Sequence, residues 1–222
     1  MYHFSYFKEP ERSTLLQFME EHPFVFLTGS FNNGQQVATQ VPVILYEKAD
    51  GLYLQGHLMR NTDHHKAFLE NPNALVVFTG ASAYVSASWY TTPTMGSTWN
   101  YMSIHVQGLM HFLSPEELID LMKRFTLQFE KGDTRSATIY DNLPETFLNK
   151  MMPAIAGFEI KIEHLENVFK LSQNRDEKSY TNIIEKLAEQ GGLAAEIAAE
   201  MQKRKSQLFP EGLEWDGSKF DS

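Results

Sequence analysis

Residues 52–72 read LYLQGHLMRNTDHHKAFLENP, and how that stretch parses decides the fold. Leu52–Leu58 is short, apolar and β-prone, and the Asp50-Gly51 pair before it suits a tight turn between strands. A polar turn, Arg60-Asn61-Thr62, then opens a helix. Asn71-Pro72 must end that helix, because proline disfavours helical dihedrals in the residue before it. Upstream, Phe24–Gly29 and Gln36–Tyr46 read as strands joined by Asn33-Gly34, a strong short hairpin signal. Three strands meandering through tight turns imply an antiparallel sheet.

The pattern continues in both directions. Pro10 to His22 reads as a short helix with Leu15, Leu16, Phe18 and Met19 on one side. Ala74–Thr79 and Ala83–Tyr90 read as two strands, Thr91–Thr98 as a loop, and Tyr101–Leu113 as a long strand with Gly108 as a candidate bulge. Ser114-Pro115-Glu116-Glu117 is a helix start with a capping box, followed by the apolar stripe Leu118, Leu121, Met122, Phe125 and Phe129. A short helix around Glu145–Met152 and a strand at Phe158–Ile162 follow. The tail from Lys178 to Lys205 is helical, broken at Gly191-Gly192. Six or seven antiparallel strands with helices at their edges predict an α+β protein, a Greek-key or split β-barrel with peripheral helices. The expected organisation is one domain over 1–177, with 178–222 a helical C-terminal appendage rather than an independent domain.

Composition narrows the function. The 222 residues are 42% hydrophobic and 21% charged, enough for one large domain with a real core. There is no cysteine, which excludes disulfides, thiolate catalysis and cysteine-ligated zinc or iron–sulfur centres. The start, MYHFSYFKEPER, lacks the charged-then-apolar pattern of a signal peptide. No run approaches roughly 18 consecutive apolar residues. A cytoplasmic protein with no membrane span is expected. The formal charge of −9 argues against a partner gripped through its phosphates, as nucleic acid is.

Three stretches could carry chemistry. At Gly56–Lys66 a strand end, a polar turn and a helix start make an anion site: free N–H groups and the helix dipole face the turn, and Arg60 can hold a phosphate with two donors. Ordinary capping by Asn61 or Thr62 is the plainer reading of the same residues. At Tyr84–Tyr101, YVSASWYTTPTMGSTWNY gathers Tyr84, Trp89, Tyr90, Trp99 and Tyr101 with Ser86 and Ser88 around a loop. Those rings suit either a stacking wall for a flat ligand or a core or subunit interface. Lys170-Leu171-Ser172-Gln173-Asn174-Arg175 follows a strand-like run with five hydrogen-bonding side chains, whose partners would be a phosphate, a neighbouring subunit or solvent.

Other motifs fall short. His57, His64, His65 and His105 are not expected to hold metal, since adjacent histidines on a helix point about 100° apart. Gly29 and Gly34 outline a phosphate loop, yet Gln35-Gln36 stand where lysine and a hydroxyl residue would. The tail resembles a helix-turn-helix in outline. Its second helix presents Ala194, Ala195, Glu196, Ala198, Ala199 and Glu200 where base-reading side chains belong, so direct DNA reading is not expected despite Lys203-Arg204-Lys205.

Several motifs occur together and in order: GHLMRN at 56–61, AYVSASWY at 83–90, TWNY at 98–101, Ile104-His105-Val106-Gln107-Gly108, GFEI at 157–160 and KLSQNR at 170–175. From about Thr28 to Arg175 the chain resembles the PaiB-like family, the FMN-binding negative transcriptional regulators. These belong to the FMN-binding split barrels, with the pyridoxamine-phosphate oxidases and flavin reductases. The resemblance implies FMN held at a homodimer interface. His57 and Leu58 would face its ring system largely through backbone groups, and Arg60, Asn61 and Thr62 its phosphate. Lys66, Lys170 and Arg175 would add charge, and Ser86, Trp99, Asn100 and Gln173 complete the candidate set. Asp63-His64 departs from the oxidases, which often carry an Arg-Lys pair there. The function implied is a flavin-dependent regulator or sensor. A flavin oxidoreductase, with His57 and His105 its only acid–base candidates, and a haem-binding split barrel are the alternatives.

Overall fold

The computed structural model describes residues 1–92, 94–212 and 215–220, without the side chain of residue 219. In chain order the main elements are α1 (Arg12–Glu21), β1 (Phe24–Ser30), β2 (Gln36–Lys48), β3 (Gly51–Met59), α2 (Asp63–Glu70), β4 (Asn73–Val85), β5 (Thr98–Phe112), α3 (Pro115–Phe129), α4 (Glu145–Met151), β6 (Ile155–Lys161), β7 (His164–Lys170), α5 (Glu177–Gln190) and α6 (Gly192–Leu208). The strands form one sheet in the order β4-β1-β2-β3-β6-β5-β7, and β4 also pairs with β5. Six strands therefore close on themselves, with β7 added outside on β5. This is the split β-barrel with peripheral helices that the strand pattern predicts.

The hairpins sit where the turn residues place them. β1 and β2 are in register from Phe24↔Pro42 to Ser30↔Gln36, and β2 and β3 from Val43↔Gly56 to Lys48↔Gly51. Two differences from the sequence reading concern the middle of the chain. Ala74–Thr79 and Ala83–Tyr90 are not separate strands. One strand, β4, runs to Val85, because Phe78, Ala81, Ala83 and Val85 keep every inward position apolar. It stops at Ser86, whose hydroxyl accepts from the Ser88 N–H and starts a 3-10 turn at Ala87–Trp89. β5 also begins at Thr98, three residues before the expected start. Pro93, in the expected loop, lies outside the described residues.

The chain divides into two compact units: Met1–Leu16, Thr79–Ile104 and Glu166–Ser222 make the first, and Gln17–Phe78 with His105–Leu165 the second. β4 and β5 run through both. In the second unit, α2 sits against β1 at Gly29, where an added Cβ would come within 2.5 Å of the Phe68 ring. At Gly108 an added Cβ would fall 1.9 Å from the Lys161 carbonyl oxygen, so glycine there marks a close backbone crossing. Leu118, Leu121 and Phe125 of α3 pack with Ile44 and Ile155 in a small apolar cluster. Beside it, the buried Gln55 amide donates to Glu159 (3.0 Å) and accepts from Arg124 (2.8 Å).

In the first unit, Tyr180, Ile183 and Leu187 of α5 and Ile197 and Met201 of α6 are fully buried. Arg204 of α6 pairs with Glu9 at 2.9 Å and also with Glu200. The Glu9 N–H donates to the Asn167 side chain of β7 at 2.8 Å. The helical tail is thus tied by charge to the N-terminal segment, which is itself hydrogen-bonded to β7.

Candidate functional site

The structure brings the candidate residues together as two groups, one in each unit. His57, Leu58, Arg60, Asn61, Thr62 and Lys66 lie in the second unit, along the end of β3 and the start of α2. The turn between these elements is strongly specified. Arg60 donates its N–H to the Ala154 carbonyl and its Nε to that of Ile155, both at 2.9 Å. Its terminal guanidinium nitrogens have no partner among the described residues and reach the surface. Asn61 adopts φ +66°, a left-handed conformation that asparagine tolerates better than most residues. Thr62 caps α2: its hydroxyl donates to the Met59 carbonyl at 2.9 Å and accepts from the His65 N–H at 3.3 Å. Lys66 is exposed one turn further on.

The structure bears out the capping reading of this turn and leaves basic side chains beside it. Thr62 is spent on capping, while Arg60 and Lys66 present charge beside a helix start whose dipole favours anions. Asp63 opposes them. Its exposed carboxylate accepts from the His64 N–H at 2.7 Å, which holds its carboxyl below the usual range and occupies a donor that a phosphate would use. Leu58 turns its side chain into the core, so only its backbone is available. His57 lies edge-on to Phe125, ring centroids 5.3 Å apart, with Nδ1 buried and unpartnered; burial pushes its pKa down. His65, also lowered chiefly by burial, accepts from the Asn61 N–H at 3.3 Å.

The other group lies in the first unit. Asn100 is wholly buried, accepting from the Ser172 hydroxyl at 2.9 Å and donating to the Met201 sulfur at 3.4 Å. Gln173 is turned back on its own segment, accepting from the Leu171 N–H and donating to the Phe169 carbonyl. Both amides are satisfied inside the protein. Ser86 is spent on its turn. Lys170 donates to the Thr98 hydroxyl and to the Trp99 carbonyl at 3.1 Å, and lies 5.7 Å from the centre of the Tyr2 ring. Arg175 lies over the Tyr90 ring at 4.5 Å. Trp99 and Tyr84 stand out from the surface at 55% and 48% exposure, edge to face at 6.0 Å. Tyr2 carries no signal in the sequence, since its contact with Lys170 is long-range and it sits in no motif; Thr98 opens the TWNY motif but its contact with Lys170 is equally long-range.

The fold defines a class, the split β-barrels. The chain belongs to the family described as "Putative FMN-binding domain", which matches residues 1–164, starting upstream of the resemblance read from about Thr28 and ending short of KLSQNR at 170–175. It is 31% identical, over 92% of its length and 98% of the relative's, to "Protease synthase and sporulation protein PAI 2" of Bacillus subtilis (strain 168). Two solved structures share the fold at 15% identity. One is the FAD and haem binding protein from Mycobacterium smegmatis, with a TM-score of 0.53 over 74% of this chain and 73% of that one. The other is the flavocytochrome Anf3 from Azotobacter vinelandii, with 0.54 over 76% and 72%. Among the described residues no helix is long and apolar enough to cross a membrane.

Proposed function

We propose that the chain binds FMN as a cytoplasmic homodimer and acts as a flavin-dependent regulator or sensor. His57 and Leu58 lie at the ring edge in this reading, and Arg60, Asn61, Thr62 and Lys66 at the phosphate. The observation that carries it is Arg60: its Nε is fixed on the Ile155 carbonyl, leaving its terminal donors outward beside the capped start of α2. FMN when bound supplies electron-transfer chemistry of its own; the residues of this turn would hold its phosphate and orient it. The test is a titration with FMN and with riboflavin, which lacks the phosphate. Loss of one charge-assisted contact, worth on the order of 1.5–3 kcal/mol, should weaken FMN ten- to hundredfold in Arg60→Ala and leave riboflavin unchanged. Equal FMN affinity in a folded Arg60→Ala protein would remove Arg60 from the site.

The resemblance to the PaiB-like regulators, together with a Bacillus relative whose name refers to sporulation, supports a regulatory reading. Steady oxidation of a nicotinamide cofactor by the FMN-loaded protein would favour the oxidoreductase instead. For the homodimer, support comes from Phe24 and Phe26 of β1, 57% and 42% exposed on the same side of the strand. Obligate interfaces bury about 2,000 Å² or more and are apolar at their centre, a role these rings suit. Sedimentation at the mass of a single chain would contradict it. Against direct DNA contact stand Lys203, Arg204 and Lys205, all paired to carboxylates of Glu200, Glu9 or Glu177.

A further inference from the structure

The chain opens on MYHFSYF, with aromatic rings at Tyr2, Phe4, Tyr6 and Phe7. The last of these begins an anchor. Phe7 is 3% exposed, the Lys8 ammonium donates to the Asn167 carbonyl of β7 at 2.8 Å, and the Asn167 amide donates to the Glu9 carbonyl at 3.1 Å. Ahead of Phe7 the hold is different in kind. Among the described residues, hydrogen bonds join residues 1–6 only to Phe7 and Lys8, through the Phe4 and Ser5 carbonyls. Ring contacts supply the rest: Tyr2 meets Phe7 edge to face at 5.9 Å, Phe4 stacks on Tyr6 at 5.2 Å, and Tyr6 meets Phe220 at 5.0 Å. A surface segment held by ring contacts, without long-range hydrogen bonds, opens at small cost while its anchor stays closed.

This segment lies on the basic group of the first unit. The Tyr2 ring is 5.7 Å from the Lys170 ammonium, which is bonded in turn to the Trp99 carbonyl. The Tyr101 hydroxyl, whose pKa is raised chiefly by burial, also feels Tyr2. The Tyr6 hydroxyl, raised chiefly by burial too, feels the opposing charge of Arg175. Lys170 and Arg175 are part of the candidate flavin set, so a segment that covers them bears on the flavin. No residue of MYHFSYF is acidic, and such a segment does not compete with a phosphate for Lys170. The Tyr2 ring can stay beside the cation, drawn by the attraction of an aromatic face for an ammonium group, while an anion reaches it from another side. Tyr2 is also 45% exposed, which leaves part of its ring free to meet a flat ligand.

Resting on the flavin reading, we propose that residues 1–6 are a strap, hinged at Phe7, that closes over the bound flavin beside Lys170 and slows its exchange, with Tyr2 as the contacting residue.

Stopped-flow mixing of FMN with the full-length protein, followed by flavin fluorescence, gives the association rate, and displacement of the bound FMN gives the release rate. Removing residues 2–6 should speed both, because a cover is a barrier in both directions. Tyr2→Ala should speed release about two- to fivefold, the worth of one exposed cation–π contact, and Tyr2→Phe, which keeps the ring, should release FMN at the wild-type rate. Bound FMN should also slow chymotryptic cleavage after Tyr2, Phe4 and Tyr6 in the wild-type protein. Exchange rates unchanged in both the shortened chain and Tyr2→Ala would overturn the proposal. So would faster association with unchanged release, which would make the segment a plug of the empty site. Slower association in Tyr2→Ala would overturn it as well, since that marks a damaged pocket rather than a lost cover. A wild-type protein that binds no FMN would overturn the flavin reading together with this one, whereas FMN bound and exchanged equally fast by every form would overturn the strap alone.

Discussion

His57 shows how a single residue links burial to pH. Its imidazole sits against Phe125 with Nδ1 unpartnered, so the protein stabilises the neutral ring and lowers its pKa from 6.5. His65 is shifted the same way by the same cause. A histidine lowered on folding binds its proton more readily in the unfolded chain. Its stabilising effect is therefore complete above pH 6.5 and is lost as pH falls below that value. The melting temperature should drop on acidification from pH 7 to 5, and more gently in His57→Gln; equal slopes would show that His57 does not titrate in this range. Asp63 allows a second test, since its carboxylate occupies the helix start where a phosphate would lie. Asp63→Asn should tighten FMN several-fold, as removal of a like charge does, and unchanged or weaker binding would place the phosphate elsewhere. The turn at 60–62 was legible because strand end, polar turn and cap are signals within a few residues of one another. The burial of Asn100 against Ser172 and Met201 was not, because both partners lie more than 70 residues away and only the fold brings them together.

Among the elements, α3 was the most legible. Ser114 and Glu117 form the capping box in both directions, with the Ser114 hydroxyl accepting from the Glu117 N–H at 3.2 Å and the Glu117 carboxylate accepting from the Ser114 N–H at 2.8 Å. Ser114→Ala should cost about 1 kcal/mol of stability in denaturant unfolding, and no loss would mean that the packing of Leu118, Leu121 and Phe125 alone sets the helix start. β4 was the least legible. The run AYVSASWY alternates as a strand should, yet the chain leaves the sheet after Val85 because Ser86 bonds its own backbone locally. That competition between a serine hydroxyl and the ladder cannot be told from periodicity. Its consequence is Trp89 in a turn and Tyr90 buried, leaving Tyr84 and Trp99 as the exposed pair of the expected aromatic wall.

At the scale of the whole chain, the helical tail is fastened into the first unit. Tyr180, Ile183, Leu187, Ile197 and Met201 are each 0% exposed, and burial of one such side chain is worth roughly 1.5–3 kcal/mol. Their sum rivals the roughly 5–15 kcal/mol by which a typical domain is stable. A chain ended after Arg175 should therefore lack cooperative unfolding; a cooperative melt near that of the full chain would show the tail to be dispensable. The barrel was readable from turn residues and alternation, whereas the fastening of the tail rests on Glu9, Asn167 and Arg204, which no local pattern connects. The central claim is that this fold carries a flavin whose phosphate the Arg60 turn holds. Its most direct test is the visible absorbance spectrum of the full-length protein after addition of FMN and removal of the unbound excess. The account predicts that the two flavin bands stay with the wild-type protein and are largely lost from a folded Arg60→Ala variant. A haem Soret band in the purified protein, or no retained chromophore at all, would contradict it.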